Sequence, residues 1–181
     1  MVKIESADLR GSLMKINEDL CLAFKEPDNE DMMILERWYG MTDCFGYATG
    51  FKDFSDIRQR LRNIEPGRLI FMIHNLKQRV PVGFVLGQVK KNSDEAVLWV
   101  NILIIEPSSQ NKGLGTHAIN KLFKYAQIKY GVRTCLVAVS YKNKQGLSFW
   151  EKVGFSRSPE LERSLHQHGT SQVAILKRTI K

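Results

Sequence analysis

The feature that most constrains this chain is a change of period at Pro107. Before it, "LIFMIHNL", "PVGFVLGQV" and "AVLWVNILII" are β-rich runs separated by "KQRV" and "KKNSDE", a pattern that predicts an antiparallel meander of three strands. After it, Leu114, Ala118, Ile119, Leu122, Tyr125 and Ala126 recur at helical spacing with His117, Lys121 and Lys124 opposite, and Gly131 ends that helix. "TCLVAVSY" returns to a strand, "KQGLSFWEKV" is a short helix closed by Gly154, and "TSQVAILKR" is a final strand. A strand, helix, strand unit fed by a meander calls for a mixed sheet with helices packed on it. The expected fold is α+β.

The N-terminal part fits the same plan. Residues 12–16 and 20–24 flank the turn "NED" and read as a β-hairpin, with residues 1–17 an N-terminal extension. Asp28 is the expected N-cap of a helix from about 29 to 40 carrying Met32, Leu35, Trp38 and Tyr39. "GYATGFKDF" reads as loop, and Ser55 as the cap of a short helix with Ile57, Leu61 and Ile64. At 181 residues, with no linker, repeat or low-complexity tract, the chain is expected to be one domain, 1–181. The longest nearly unbroken apolar run, residues 97–105, is far short of the roughly 20 needed to span a bilayer, and "MVKIESADLR" has no signal-peptide core. Cys21, Cys44 and Cys135 are scattered and odd in number, suggesting neither a disulfide framework nor a zinc site. A cytoplasmic protein without membrane attachment is expected.

Charge is distributed unevenly. Residues 107–181 carry 13 Lys/Arg against 3 Asp/Glu, whereas the first 50 residues carry 5 against 10. Scattered basic residues and the absence of any nucleic-acid module argue against nucleic acid. Solubility alone and a polyphosphate ligand both remain open.

Between strand and helix lies "QNKGLG", residues 110–115. Gly113-Leu114-Gly115-Thr116-His117-Ala118 matches the letters of a dinucleotide fingerprint. However, "EPSSQN" separates it from the strand, and no acidic residue follows before Glu151. A phosphate-binding P-loop also fails, because Thr116 follows Gly115 where lysine is needed. What remains is a helix N-terminus whose first amides lack internal partners and attract an anion. Glycines at 113 and 115 are expected to let a pyrophosphate approach, with Lys112 adding charge; the plainer reading is a tight turn with glycines for packing.

The run "VNILIIEPSSQNKGLGTHAINKLFKYA" resembles motif A of the GCN5-related N-acetyltransferase superfamily, Gln/Arg-x-x-Gly-x-Gly/Ala, with Gln110, Gly113 and Gly115 in the hallmark positions. "NKQGLSFWEKVGF" resembles its motif B, with Asn143, Trp150, Gly154 and Phe155 in place. The resemblance implies a mixed, mainly antiparallel sheet flanked by helices, with a V-shaped split between the fourth and fifth core strands. It also implies acetyl-CoA as cosubstrate in that split and direct transfer to a primary amine, expected to belong to a small molecule, in a ternary complex. Backbone groups of Leu103 and Ile105 would meet the pantetheine arm. Gln110, Asn111, Lys112, Gly113, Leu114, Gly115 and Thr116 would surround the pyrophosphate, and Asn143 and Trp150 would line the channel. A protein N-terminal acetyltransferase and a non-catalytic acyl-CoA sensor are the alternatives, and a homodimer is compatible with either.

Acetyl transfer needs an uncharged amine, a polarised carbonyl and a proton for the departing thiolate. Many family members place a tyrosine where this chain has Trp150, and an indole is no proton donor at neutral pH. Tyr141 is the expected replacement acid. Alternation puts Trp99, Asn101, Leu103 and Ile105 on one face, making Asn101 the polar group there and the expected holder of a water acting as base. Glu95 and Glu106 lie at strand ends. His117 falls on the polar side of its helix, His74 has no recognisable partner, and His166 and His168 are too weak a signal for a metal site, so no metal is expected. The acidic stretch "KEPDNED" is expected either to form an acceptor wall for a cationic amine or simply to cap its helix.

Overall fold

The computed structural model describes residues 14–17, 22–50, 53–62, 65–91, 95–166 and 172–179. Strands β1 (Met14–Asn17) and β2 (Leu22–Lys25) are followed by helices α1 (Asn29–Gly40), α2 (Thr42–Thr49) and α3 (Phe54–Arg62). The meander β3 (Arg68–Asn75), β4 (Val80–Lys91) and β5 (Ala96–Ile105) leads through a 3-10 turn at Pro107–Ser109 into α4 (Leu114–Tyr130). The chain closes with β6 (Thr134–Ser140), α5 (Lys144–Lys152), β7 (Ser156–Arg157), α6 (Pro159–His166) and β8 (Val173–Thr179). One eight-stranded sheet has the order β1-β2-β3-β4-β5-β6-β8-β7. Within it only β5 and β6 run parallel. The expected α+β fold, mainly antiparallel and flanked by helices, is what forms.

Two cores lie on opposite faces of the sheet. Leu69, Phe71, Val85, Leu98 and Val100 pack with Ala118, Ile119 and Leu122 of α4. Met72, Phe84, Leu86, Ile102 and Ile104 pack with Leu35, Trp38, Phe45 and Ile57 of α1, α2 and α3. Burial of these stripes, at roughly 1.5–3 kcal/mol per large side chain, is what holds the helices to the sheet. The faces of β5 do not follow simple alternation. Val100 pairs with Gly87 and Ile102 with Leu86, so Asn101 is an extra residue in the ladder, a β-bulge. Before the bulge Leu98 and Val100 face α4; after it Leu103 and Ile105 do, while Ile102 and Ile104 turn to α1–α3. The expectation of one shared face for Trp99, Asn101, Leu103 and Ile105 is therefore corrected at Asn101.

The stretch read as loop contains the second half of α2. It has no side-chain N-cap at Met41 and ends at Gly50 with φ 70°; burial of Phe45 between Trp38 and the sheet holds it. Ser55 is inside α3, and Asp53 Oδ1 accepts from its N–H at 3.4 Å. β7 and α6 were not anticipated. Among the described residues no helix is long and apolar enough to cross a membrane.

Candidate active site

The bulge and the end of the parallel pairing together open the site. β5 and β6 pair from Val97 with Thr134 as far as Val100 with Val137, and there the ladder stops. These are the fourth and fifth strands of the core once β1 is set aside. Beyond Val137 the two strands diverge around a cavity of about 710 Å3, within the usual size of a ligand pocket. At the other end of the pair Thr134 Oγ1 donates to Glu95, so Glu95 secures the closed end and takes no place in the cavity.

The backbone of β5 is aimed into the split. Glu106 N–H donates to Val82 O at 2.9 Å, so by alternation the backbone groups of Ile102 and Ile104 point at β4 and those of Leu103 and Ile105 at the opening. Gln110 Nε2 donates to Ile105 O at 2.9 Å and fixes that strand end. Glu106 accepts from Ser108 Oγ, which holds its carboxyl below the usual range. It serves the turn and does not line the cavity.

At the head of α4, Asn111 and Gly113 adopt positive φ of 59° and 75°, a tight turn into the helix. Gly113 is the N-cap without a side-chain bond, and no acceptor is found among the described residues for the amides of Leu114, Gly115 and Thr116. Asn111, Gly113, Leu114, Gly115 and Thr116 all border the cavity, an arrangement suited to an anion. Lys112 does not border it; its Nζ donates to Ser108 O at 2.8 Å, stiffening the 3-10 turn. Gly115 also has a packing use, as the plainer reading expected. A Cβ there would come within 3.1 Å of Phe149 Cε2 and 3.6 Å of Ile105 Cγ1, so the glycine makes room for a ring of α5.

On the β6 side Asn143 caps α5, its Oδ1 accepting from Gly146 N–H at 2.8 Å, and borders the cavity. Trp150, 6% exposed, sits edge-on to Phe149 and Phe155 and closes the channel wall. Tyr141 is not brought into the cavity. Its hydroxyl donates to Glu162 Oε2 at 3.1 Å and accepts from Arg157 at 3.0 Å, so its proton is committed elsewhere. Asn101, exposed at the bulge, does border the cavity.

The third wall was invisible as a helix in the sequence. α2 lies against β5 and β6 and supplies Asp43, Cys44, Phe45, Tyr47 and Ala48. Tyr47 is the one tyrosine and Asp43 the one carboxylate among the described residues lining the cavity. They are four apart on a helix and so share a face. The acidic stretch at the start of α1 is occupied otherwise. Asp31 is 2% exposed, bonded to His74 Nε2 at 3.0 Å and to Lys25 Nζ at 3.2 Å, and forms a capping box with Asp28. The partner that His74 lacked in the sequence is Asp31, and of the two readings of "KEPDNED" it is helix capping that the contacts of Asp28 and Asp31 express. Cys44 is exposed and Cys135 buried; Cys21 and His168, and the side chain of His166, lie outside the described residues. No cluster able to hold a metal occurs among the described residues.

A model of the acetyltransferase (GNAT) family matches residues 14–155. The chain belongs to that family. N-acetyltransferase 9-like protein of Nematostella vectensis is 33% identical over 69 residues, 38% of this chain and 35% of the relative. The chain thus matches only about a third of the length of the curated relatives. Among solved structures, spermidine N-acetyltransferase from Vibrio cholerae in complex with CoA and spermine aligns with a TM-score of 0.66 at 14% identity, covering 88% of this chain and 95% of that one. The Salmonella typhimurium acetyltransferase that modifies the N-terminal serine of ribosomal protein L7/L12 aligns at 0.72 and 10% identity, covering 94% and 100%. At these identities the likeness is one of fold, an open, mostly antiparallel sheet with one parallel pair and flanking helices.

Proposed function

We propose that this GNAT protein is an acetyl-CoA-dependent N-acetyltransferase that passes the acetyl group directly to a cationic primary amine of a small molecule within a ternary complex. The observation that carries the acceptor assignment is Asp43. It is the sole carboxylate in a cavity otherwise bordered by neutral groups and by Lys142, Lys144 and Lys152 among the described residues. A lone acidic group on the α2 wall favours an ammonium there, while the lysines and the α4 amides favour the anionic cosubstrate.

The residues present fit acetyl-CoA. The free amides of α4 and the backbone of Gly113 suit a pyrophosphate, the edge of β5 at Leu103 and the N–H of Ile105, whose carbonyl Gln110 already occupies, suit the amides of a pantetheine arm, and Asn143 and Trp150 bound the channel. Acetyl-CoA supplies an activated acyl group whose carbonyl carbon an amine can attack. The chain's part is to orient and to move protons. An unpaired N–H of β5 polarises the carbonyl. Asn101 orders a water through which the ammonium loses one proton to solvent before attack and the nitrogen a second as the amide forms, and Tyr47 donates its hydroxyl proton to the departing thiolate. The C–N bond forms as the C–S bond breaks, and solvent returns a proton to Tyr47.

Thiol release measured over a panel of amines tests the assignment. Diamines and polyamines are expected to be turned over in preference to neutral amines, with Asp43→Asn raising KM for the amine about tenfold, in line with loss of one charged contact. Preferred turnover of peptides with free N-termini would replace the small-molecule acceptor by a protein one. A neutral or anionic best acceptor would remove Asp43 from recognition.

A further inference from the structure

Tyr141 is held by a cluster outside the cavity that the chemistry above leaves unused. Glu162 of α6, with 7% of its side chain exposed, makes four hydrogen bonds. Its Oε1 accepts from Arg157 Nε at 3.1 Å and from Ile175 N–H at 3.1 Å. Its Oε2 accepts from Arg157 at 2.9 Å and from Tyr141 Oη at 3.1 Å. Arg157 also lies over the Tyr141 ring, 5.2 Å from its centre, and Tyr141 N–H donates to Gln172 O at 3.1 Å.

The position of this cluster gives it a task. β7 pairs with β8 only at Ser156 and Arg157, and Ser158 N–H then donates to Ile175 O. Glu162 takes over where β7 ends, supplying the acceptor for Ile175 N–H. On the other side of β8, Tyr141 is the residue at which the chain leaves β6. Two residues later stands Asn143, which caps α5 and borders the cavity with Lys142 and Lys144. β6 has no strand neighbour on its split side beyond Val137; β8 pairs with it on the other side as far as Ser140 with Val173, and Asn143 N–H donates to Ser140 O at 2.9 Å, so the Tyr141 side chain adds a third hold on the corner where the chain turns.

We propose that Glu162, through Tyr141, is a positioning residue for the acetyl-CoA site, a clasp from the C-terminal α6 that sets the β6-to-α5 corner and with it Asn143. The proposal rests on acetyl-CoA being the ligand of the split. A bidentate Arg–carboxylate pair whose carboxylate is buried and fully bonded, though its arginine is half exposed, is a geometrically defined support, and a site is only as well placed as the groups that support it.

Calorimetric affinity for CoA, which needs no acceptor, is the test, using wild type, Glu162→Gln, Tyr141→Phe and the double variant, with thermal stability measured on the same samples. Glu162→Gln is expected to weaken CoA about tenfold and Tyr141→Phe about threefold, as for one lost hydrogen bond. The double variant should match Glu162→Gln alone, because one residue acts through the other. With an amine acceptor, KM for acetyl-CoA should rise while kcat stays within about twofold. Lower thermal stability with unchanged CoA affinity would make the cluster merely structural and overturn the proposal. Additive effects in the double variant, or a kcat loss in Tyr141→Phe at unchanged affinity, would overturn it as well. Tyr141→Phe keeps the Arg157–Glu162 pair and the ring, so it reports even where Glu162→Gln folds poorly. If wild type itself fails to bind CoA, the acetyl-CoA reading falls first and this proposal with it.

Discussion

Gly115 of α4 lies against the ring of Phe149 of α5: a Cβ on the glycine would stand 3.1 Å from Cε2 and 3.2 Å from Cζ. The glycine of the first turn therefore has a packing use that does not depend on a ligand, since a Cβ would need the ring to give way by a few tenths of an ångström. Gly115→Val is expected to lower the stability of the ligand-free protein by about 1–3 kcal/mol, the usual cost of overpacking, and Phe149→Ala in the same chain should return part of it. Denaturant unfolding of the single and double variants checks this. An unchanged midpoint in Gly115→Val would return that glycine to the role of admitting phosphate.

Gly113 should behave differently. Its φ is 75°, and the nearest atom a Cβ would meet is 3.7 Å away on exposed His117. Gly113→Ala is expected to cost about 1–2 kcal/mol through backbone strain alone, with no rescue by trimming His117. Rescue by His117→Ala would show that space, not conformation, sets the choice.

Proton donation separates three aromatic residues. Trp150→Phe should retain most turnover, because the indole shapes the wall. Tyr47→Phe should lose roughly ten- to a hundredfold in kcat, within the range of general acid effects, whereas Tyr141→Phe should act on acetyl-CoA affinity. Steady-state kinetics on the best amine ranks them, and equal kcat for Tyr47→Phe and wild type would take the acid role away from α2.

The cap of α1 carries a pH dependence. Asp28 accepts from Asp31 N–H at 2.9 Å and from Lys25 Nζ, which together hold its carboxyl at about 2, below the ordinary 3.8. A carboxyl depressed in the folded state stabilises fully above its unfolded value, and that contribution fades as pH falls from about 3.8 towards 2. Asp28→Asn keeps the capping oxygen and removes the titration. Its stability should fall less steeply than that of wild type between about pH 4.5 and 2.5. Parallel acid limbs in urea titrations would contradict the assignment.

What could be read from the chain and what could not divide along local and long-range causes. α1 was legible at both ends because Asp28 caps it and its apolar residues keep a 3.6 period. The meander and α4 were legible because apolar runs and turn residues mark them locally. α2 was missed because "TDCFGYAT" has a glycine inside, no side-chain cap and poor helix formers; Phe45 in the core holds it, a tertiary cause. α6 carried a signal that could have found it, since Pro159 followed by Glu160 and Glu162 is a common way to open a helix. The bulge at Asn101 had none, because "VLWVNILII" is apolar on both faces and either phase fits. Among residues that border the cavity, those at the head of α4 and Asn143 were singled out by their motifs. Asp43 and Tyr47 were lost with α2, and the contacts of Tyr141 with Glu162 and of Asp31 with His74, 21 and 43 residues apart, are set only by the folded sheet.

The account's central claim is that acetyl-CoA binds in the split between β5 and β6, with its phosphates on the first turn of α4. Titrating CoA into isotope-labelled protein while following backbone amide resonances tests this most directly. The account predicts saturable shifts that are largest at Leu103, Ile105, Gly113, Leu114, Gly115, Thr116 and Asn143. Absence of binding at millimolar CoA, or shifts that spare the α4 amides and cluster elsewhere, would contradict it.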